Sequence, residues 1–275
     1  MSIYTIDKLI TDFDETISEA DTTQSLVRAA MATHGQGAKQ LRADWEQLVE
    51  WYTIQHTRIA NERLFNDNHQ VSCRELVRAF DALHTQSVGR IIKGHLLAGL
   101  SREQLRELGR QTQKREGVES VFAAMQSAGV TIEILSANLS QTLVEGAMEG
   151  LCAQVTSNHL VLNGASDECE SLPRSTGEIQ LDVVSSRDKR KHFRERRSKT
   201  GRTAYVGDSI FDLLAMQDAD IGVLIGQNRY ALRALERCRI PVVTIDEVVW
   251  QPVKRNSIVH VNSWKTLDAF LRQTN

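Results

Sequence analysis

Residues 8–16 read KLITDFDET, and residues 203–212 read TAYVGDSIFD. Each is a short apolar run that stops abruptly at carboxylates, the pattern of a strand buried on both faces with polar chemistry at its carboxyl end. VTIEIL at 130–135 ends the same way at Ser136, and ADIGVLIG at 219–226 and PVVTID at 241–246 supply further apolar runs. Between them lie helical patterns such as FDLLAMQ at 211–217 and YALRALERC at 230–238. Strand, helix, glycine and strand again is the rhythm of βαβ units, so these stretches predict a parallel sheet with crossover helices. Residues 151–181, with turn signals at Asn163-Gly164 and Thr176-Gly177, read as a small hairpin region between sheet elements.

The grain differs between the first run and the rest. Residues 17–114 are rich in helix formers, with apolar residues at spacings of three and four, as in Trp45, Leu48, Val49 and Tyr52. Four helices are predicted there. They break at Gly35 and Gly37, at the polar stretch 66–70, and at Gly99, where Ser101 opens SREQLREL with Gln104 in the capping-box position. The economical architecture is an α/β core of residues 1–16 and 117–275, with a helical insertion over residues 17–116.

Composition narrows the function classes. Apolar residues make up 41% and charged residues 25%, values of a globular rather than a disordered or fibrous chain. Lys and Arg number 33 against 35 Asp and Glu, so affinity for phosphate must be local rather than a property of the whole surface. Cys73, Cys152, Cys169 and Cys238 are scattered without a C-x-x-C pair, which fits free thiols in a reducing compartment. The first residues lack the charge and apolar pattern of a signal peptide, and no apolar run would span a bilayer; a cytoplasmic protein without membrane contact is expected.

In open α/β sheets ligands bind beyond the carboxyl ends of the strands, so the residues that follow each strand belong together. They are Asp12 and Asp14, Ser136, Lys189, and Asp208 with Asp212 one helical turn on. Converging carboxylates with one ammonium and one hydroxyl describe a site for Mg²⁺ and a phosphate group.

In that order, DFDET, the Ser136 of LSAN, Lys189 and GDSIFD resemble the four motifs of the haloacid dehalogenase-like superfamily. The resemblance implies a Rossmann-like parallel sheet core with an inserted α-helical cap. It implies Asp12 as the nucleophile that becomes an aspartyl-phosphate, and Mg²⁺ on the carboxylates of Asp12 and Asp208 and the backbone carbonyl of Asp14. Ser136 and Lys189 would hold phosphate oxygens, and Asp212 would support the metal or Lys189. A carboxylate at Asp14 matches the superfamily's phosphatases and suits general acid and base work. The position of the insertion is that of the cap in the subgroup containing phosphoserine phosphatases. There, a carboxylate at the position of Asp21 grips the substrate's ammonium group; alternatively Asp21, with Thr22 and Thr23, caps the first cap helix.

From about 117 to 271, STGEI, GDSIFDLLAMQDADIGVLIG and VNSWKTLDAF are similar to the phosphatase domain that plants carry fused to a TenA-like domain. That resemblance implies thiamine monophosphate as the small phosphorylated substrate, handled by a stand-alone phosphatase. Phosphoserine, a pyrimidine nucleotide, or a non-catalytic binding role on the same fold are the alternatives. Trp45, Trp51 or Tyr52 could stack on a substrate ring, but their spacing is that of a buried stripe and they are read rather as cap core. The eight histidines show no ligand spacing and are read as ordinary surface or core residues. The basic run RDKRKHFRERRSKTGR at 187–202 reads as a solvated helix face with Phe193 turned inward, without nucleic acid.

Overall fold

Leu9 and Ile10 are both fully buried, yet they pack into different hydrophobic clusters, because successive strand side chains point to opposite faces. They lie on β1 (Lys8–Thr11), the central strand of a seven-stranded sheet. The computed structural model describes residues 4–68, 71–151, 153–163, 173–245 and 257–272.

After β1 the chain enters α1 (Thr23–Thr33), α2 (Ala38–Ile59), α3 (Cys73–Lys93) and α4 (Arg102–Arg110), the four helices expected. Ser72 and Ser101 each open a helix with a complete capping box, through Glu75 and Gln104. Then follow α5 (Val118–Ser127), β2 (Thr131–Leu135), α6 (Gln141–Ala147), β3 (Gln154–Thr156), β4 (His159–Leu162) and β5 (Ser175–Gln180). The remainder is α7 (Ser186–Arg196), β6 (Thr203–Gly207), α8 (Leu213–Asp218), β7 (Ile221–Ile225), α9 (Arg229–Arg237), β8 (Val242–Thr244), β9 (Ile258–Val261) and α10 (Trp264–Arg272).

The sheet order is β3-β2-β1-β6-β7-β9-β8 and every pairing in it is parallel. One face is covered by α5, α6 and α10 through residues such as Phe122, Val144 and Trp264; the other is covered by α7, α8 and α9 through Phe193, Met216 and Leu235. The chain leaves β1 for β2 on one side and returns at β6 on the other, so a crevice opens at the carboxyl ends of these strands.

Two details of the expected sheet need correction. Gln154–Thr156 joins the sheet edge beside β2, so the hairpin begins only at β4, which pairs antiparallel with β5. Gly164, half of one expected turn, lies outside the described residues, as do Cys152 and Cys169. The second correction is β9, which the sequence reading passed over: it inserts between β7 and β8 and makes Val242–Thr244 an edge strand. His260 in its middle bonds the Gly226 carbonyl at 2.8 Å, a satisfied core histidine.

The helical segment is tied firmly to the sheet layers. Helix α4 meets α6 so closely that a methyl group on Gly146 would lie 2.3 Å from the Arg106 carbonyl, and one on Gly109 would lie 2.1 Å from that of Leu143. Buried Asp81 on α3 accepts from the backbone NH (2.8 Å) and hydroxyl (2.7 Å) of Ser186, fastening α3 to the start of α7.

Candidate active site

Asp12 directly follows β1, and its backbone NH continues the ladder to the Val206 carbonyl at 2.9 Å. Its Oδ1 accepts from the Phe13 NH at 2.7 Å and its Oδ2 from Lys189 Nζ at 2.5 Å. Lys189 sits in the first turn of α7, and the same ammonium reaches Asp212 Oδ1 at 2.7 Å. Asp208 follows β6, and Asp212 is brought back beneath the site by the short turn after Ser209. Asp212 also accepts from the Tyr205 hydroxyl at 2.8 Å and the Ser209 hydroxyl at 2.8 Å.

One oxygen from each of Asp12, Asp208 and Asp212 lies within 4.8 Å of the others, and all three residues are buried. Three carboxylates thus face one ammonium. Burial, with Asp212 and Asp12 alongside, pushes the Asp208 carboxyl well above its usual range. Asp12 is raised to about 6 by burial against the pull of Lys189, which leaves it ionised at neutral pH. Burial alone would lower the Lys189 ammonium, but Asp12 and Asp212 outweigh it and hold the proton firmly. This excess of buried negative charge fits a hard divalent cation, which would offset it with oxygen donors of the right kind.

The first motif turns sharply. Backbone NH groups of Thr16, Ile17 and Ser18 all converge on the Phe13 carbonyl, and Glu15 takes a left-handed conformation at φ 54°. A non-glycine residue there is strained, and the strain sits where the chain must leave the sheet. The turn places Asp14 against the helical segment. Its Oδ1 accepts from the Thr22 NH at 2.9 Å and the Thr22 hydroxyl at 2.8 Å, and its Oδ2 from Asn138 Nδ2 at 2.8 Å. Burial, then the nearby charge of Asp21, raises Asp14 to about 7 despite these donors.

A cavity of about 750 Å³ opens over these groups; Asp12, Asp14, Asp208, Ser136, Lys189 and Asp21 all line it. Every expected site residue except Asp212 therefore reaches one space, and Asp212 stands behind Lys189. Asp21 accepts from the Thr23 NH at 2.7 Å at the start of α1, and it also lines the cavity.

The cap aromatics divide between cavity and core, with Trp45 and Trp51 both packed against the hydrophobic core. Trp45 and Tyr52 stand two turns apart on α2, on a shared face with Leu48 and Val49, and that face lines the cavity. Trp51 lies on another face, under the Arg90 guanidinium at 3.9 Å from its ring centre. The histidines divide similarly. His56 and His84 line the cavity rather than resting as ordinary core residues. His84 packs its ring on Phe211 at 4.9 Å, its Nε2 has no hydrogen-bond partner, and burial with the Lys189 charge lowers its pKa to about 4.

No family model matches the chain. The bifunctional TH2 protein, mitochondrial, of Arabidopsis thaliana is 24% identical over 96% of this chain, and the chain spans 46% of that protein's length. A phospho-aspartyl intermediate analogue of phosphoserine phosphatase superposes over 97% of this chain and 99% of its own, with a TM-score of 0.58 and 14% identity. A substrate-bound phosphoserine phosphatase superposes over 83% and 90%, with a TM-score of 0.54 and 16% identity. The chain shares the fold of these phosphoserine phosphatases.

Within this fold, two residues bond the motif groups although the sequence reading gave them no task. Thr16 donates to Asp208 Oδ1 at 3.2 Å while its carbonyl accepts from the Trp264 indole at 3.0 Å, linking the first motif to the last. Asn138 bridges Asp14 and the Thr22 hydroxyl, the latter at 2.7 Å. The available signal was its place two residues past Ser136, a polar side chain just beyond a strand end. His84 carried no such signal, because only the return of α3 over the sheet brings it to the site.

Proposed function

We propose that this chain is a Mg²⁺-dependent phosphomonoester hydrolase for a small metabolite, with thiamine monophosphate as the best candidate substrate. The observation that carries the reading is geometric: Asp12, held by Lys189, lines one cavity with Asp14, Ser136 and Asp208, and one oxygen from each of Asp12, Asp208 and Asp212 lies within 4.8 Å of the others. A carboxylate held by an ammonium beside a second carboxyl in the same cavity supplies a nucleophile and an acid–base partner.

Asp12 attacks phosphorus in line with the ester oxygen and becomes an aspartyl-phosphate, which divides one hard hydrolysis into two transfers. Asp14 gives its proton to the departing oxygen and then takes one from the water that releases phosphate. Asn138 and Thr22 aim its carboxyl for both steps. Lys189 and Ser136 hold the oxygens that do not transfer, and Asp212 keeps Lys189 charged and aligned. Mg²⁺ on the carboxylates of Asp12 and Asp208 and the carbonyl of Asp14 would neutralise charge between phosphate and nucleophile. Residues 17–116 act as the cap that shields these steps from bulk water.

Thiamine monophosphate is the substrate implied by the plant resemblance, and the cavity wall supports it. Asp21 offers a carboxylate to a cationic ring, with Trp45 and Tyr52 nearby as flat, electron-rich faces. The cytoplasm is the compartment that fits Cys73 and Cys238, which form no disulfide among the described residues, and no helix among those residues is long and apolar enough to cross a membrane. Phosphate release should be measured on thiamine monophosphate, phosphoserine, pyrimidine mononucleotides and sugar phosphates, with Mg²⁺ or EDTA. A Mg²⁺-dependent preference for thiamine monophosphate, lost in Asp12→Asn, is the expected result. Retained metal-dependent turnover in Asp12→Asn would remove Asp12 as nucleophile, and a preference for another ester would remove the substrate.

A further inference from the structure

The basic run 187–202 does more than coat a helix. Lys189 points from α7 into the active site, and at about 100° per residue Arg187, Arg190, Lys191 and Arg194 form a stripe on the opposite side of that helix. There they meet Arg74 and Arg78, one turn apart on α3, around a second cavity of about 760 Å³. Glu195 is the one carboxylate among the lining residues. Asp218 binds Arg190 in a fork at 2.7 and 2.8 Å and also pairs with Arg194. Arg74, Arg78, Arg187 and Lys191 have no ion pair among the described residues; burial raises the Asp81 carboxyl, and Arg187, after the Ser186 hydrogen bonds, offsets part of that rise through space.

We propose that this groove between α3 and α7 is a second anion site, separate from the active site, for a small polyphosphate of the di- or triphosphate class. Arg74, Arg78, Arg187 and Lys191 come from helices far apart in sequence yet line one groove, so a ligand with several negative charges can meet all four at once. Five of the six cations are arginines, whose planar forks match pairs of phosphate oxygens. The volume lies within the range of about 300–1,000 Å³ typical of small-molecule sites. A nucleic-acid strand fits poorly: no aromatic ring lines the groove to stack a base, and further along the run Arg197 already pairs with Asp220 at 3.4 Å. A peptide would find few apolar anchors, since Val77 and Leu214 are the large aliphatic side chains present.

The site also has mechanical meaning. Asp81 and Ser186 hydrogen-bond helix α3 to the start of α7. A polyphosphate spanning Arg78 and Lys191 adds a second clamp between them, on the helix that carries Lys189.

Inorganic tripolyphosphate titrated calorimetrically into the full chain in EDTA tests this directly, against the double variant Arg78→Glu/Lys191→Glu. Neither residue belongs to the catalytic machinery. Binding weakened at least tenfold in the variant, with its thermal unfolding and phosphate-release rate unchanged, is the expected result. Should that variant not fold, Arg74→Gln/Arg187→Gln serves, with a weakening of about threefold or more expected. Equal binding in wild type and variant places the anion in the active site and overturns the proposal. So does absence of binding, or a single-stranded RNA oligomer that binds more tightly than tripolyphosphate and is released by the same substitutions.

Discussion

Replacing Asp14 with Asn separates what this carboxyl does for catalysis from what its ionisation does to the fold. Its folded pKa of about 7 stands above the ordinary carboxyl value of 3.8, because burial and the charge of Asp21 outweigh its hydrogen bonds. A carboxyl shifted in this direction binds its proton more tightly in the folded state. Its stabilising contribution is therefore complete below the unfolded value and is lost as pH rises through the folded one. The whole window amounts to about 4 kcal/mol, of which about 3 falls between pH 5 and pH 8.5. Asn cannot ionise, but neither can it satisfy both neighbours. One orientation sets its amide against Asn138 Nδ2, the other against the Thr22 NH, an unsatisfied contact that costs about 1–3 kcal/mol at every pH.

The pH dependence of the difference between wild type and Asp14→Asn isolates ionisation, since that fixed loss cancels. Urea unfolding in EDTA at pH 5, 7 and 8.5 should show the difference moving toward the variant by about 3 kcal/mol as pH rises. The same substitution should lower turnover by about 10²- to 10⁴-fold. A difference that stays flat over this range would mean Asp14 ionises like a surface carboxyl, and the argument for its acid–base role would fail with it.

Three other outcomes follow from the packing. His84→Gln should flatten an acid-side loss of stability: with a folded pKa near 4 and an unfolded value of 6.5, the unfolded chain takes up more protons, so stability falls as pH drops from 6.5 to 4, by up to about 3 kcal/mol. Denaturant midpoints at several pH values read this difference directly. Gly146→Ala should lose about 1–3 kcal/mol, because the added methyl group meets the Arg106 carbonyl and must part α4 from α6; an unchanged urea midpoint would show that contact to be looser than described. Asp81→Ala should lose about 1–2 kcal/mol of capping and slow turnover through the misplaced first turn of α7, whereas unchanged kinetics would show that Lys189 is held by Asp12 and Asp212 alone.

The core was readable from the sequence wherever a local pattern dictates structure. An apolar run that ends in carboxylates states both that a strand is buried and where its carboxyl end lies, which is why Asp12, Ser136 and Asp208 could be brought to one place without a structure. Ser101 with Gln104 likewise fixed the start of α4 by local hydrogen bonding. The strand β9 was missed because IVHV is short and carries a histidine; its burial depends on two neighbouring strands that the sequence does not pair with it.

The wall of the cavity follows another rule. A stripe at spacings of three and four states that one face of α2 is apolar, but not whether that face meets a core or a substrate. Trp45 and Tyr52 line the cavity, whereas Trp51 turns to Arg90, and the choice is made by where α3 and the sheet lie around α2. The same holds for the charges on α7: Lys189 and Lys191 differ by two residues, and helical geometry alone sends one to the active site and the other to the outer groove. Chemistry at strand ends is thus encoded locally. Selectivity, set by helices folded over those ends, comes from tertiary arrangement, so substitutions on the cavity face of α2 should alter which ester is bound while leaving the Asp12 and Lys189 pair intact.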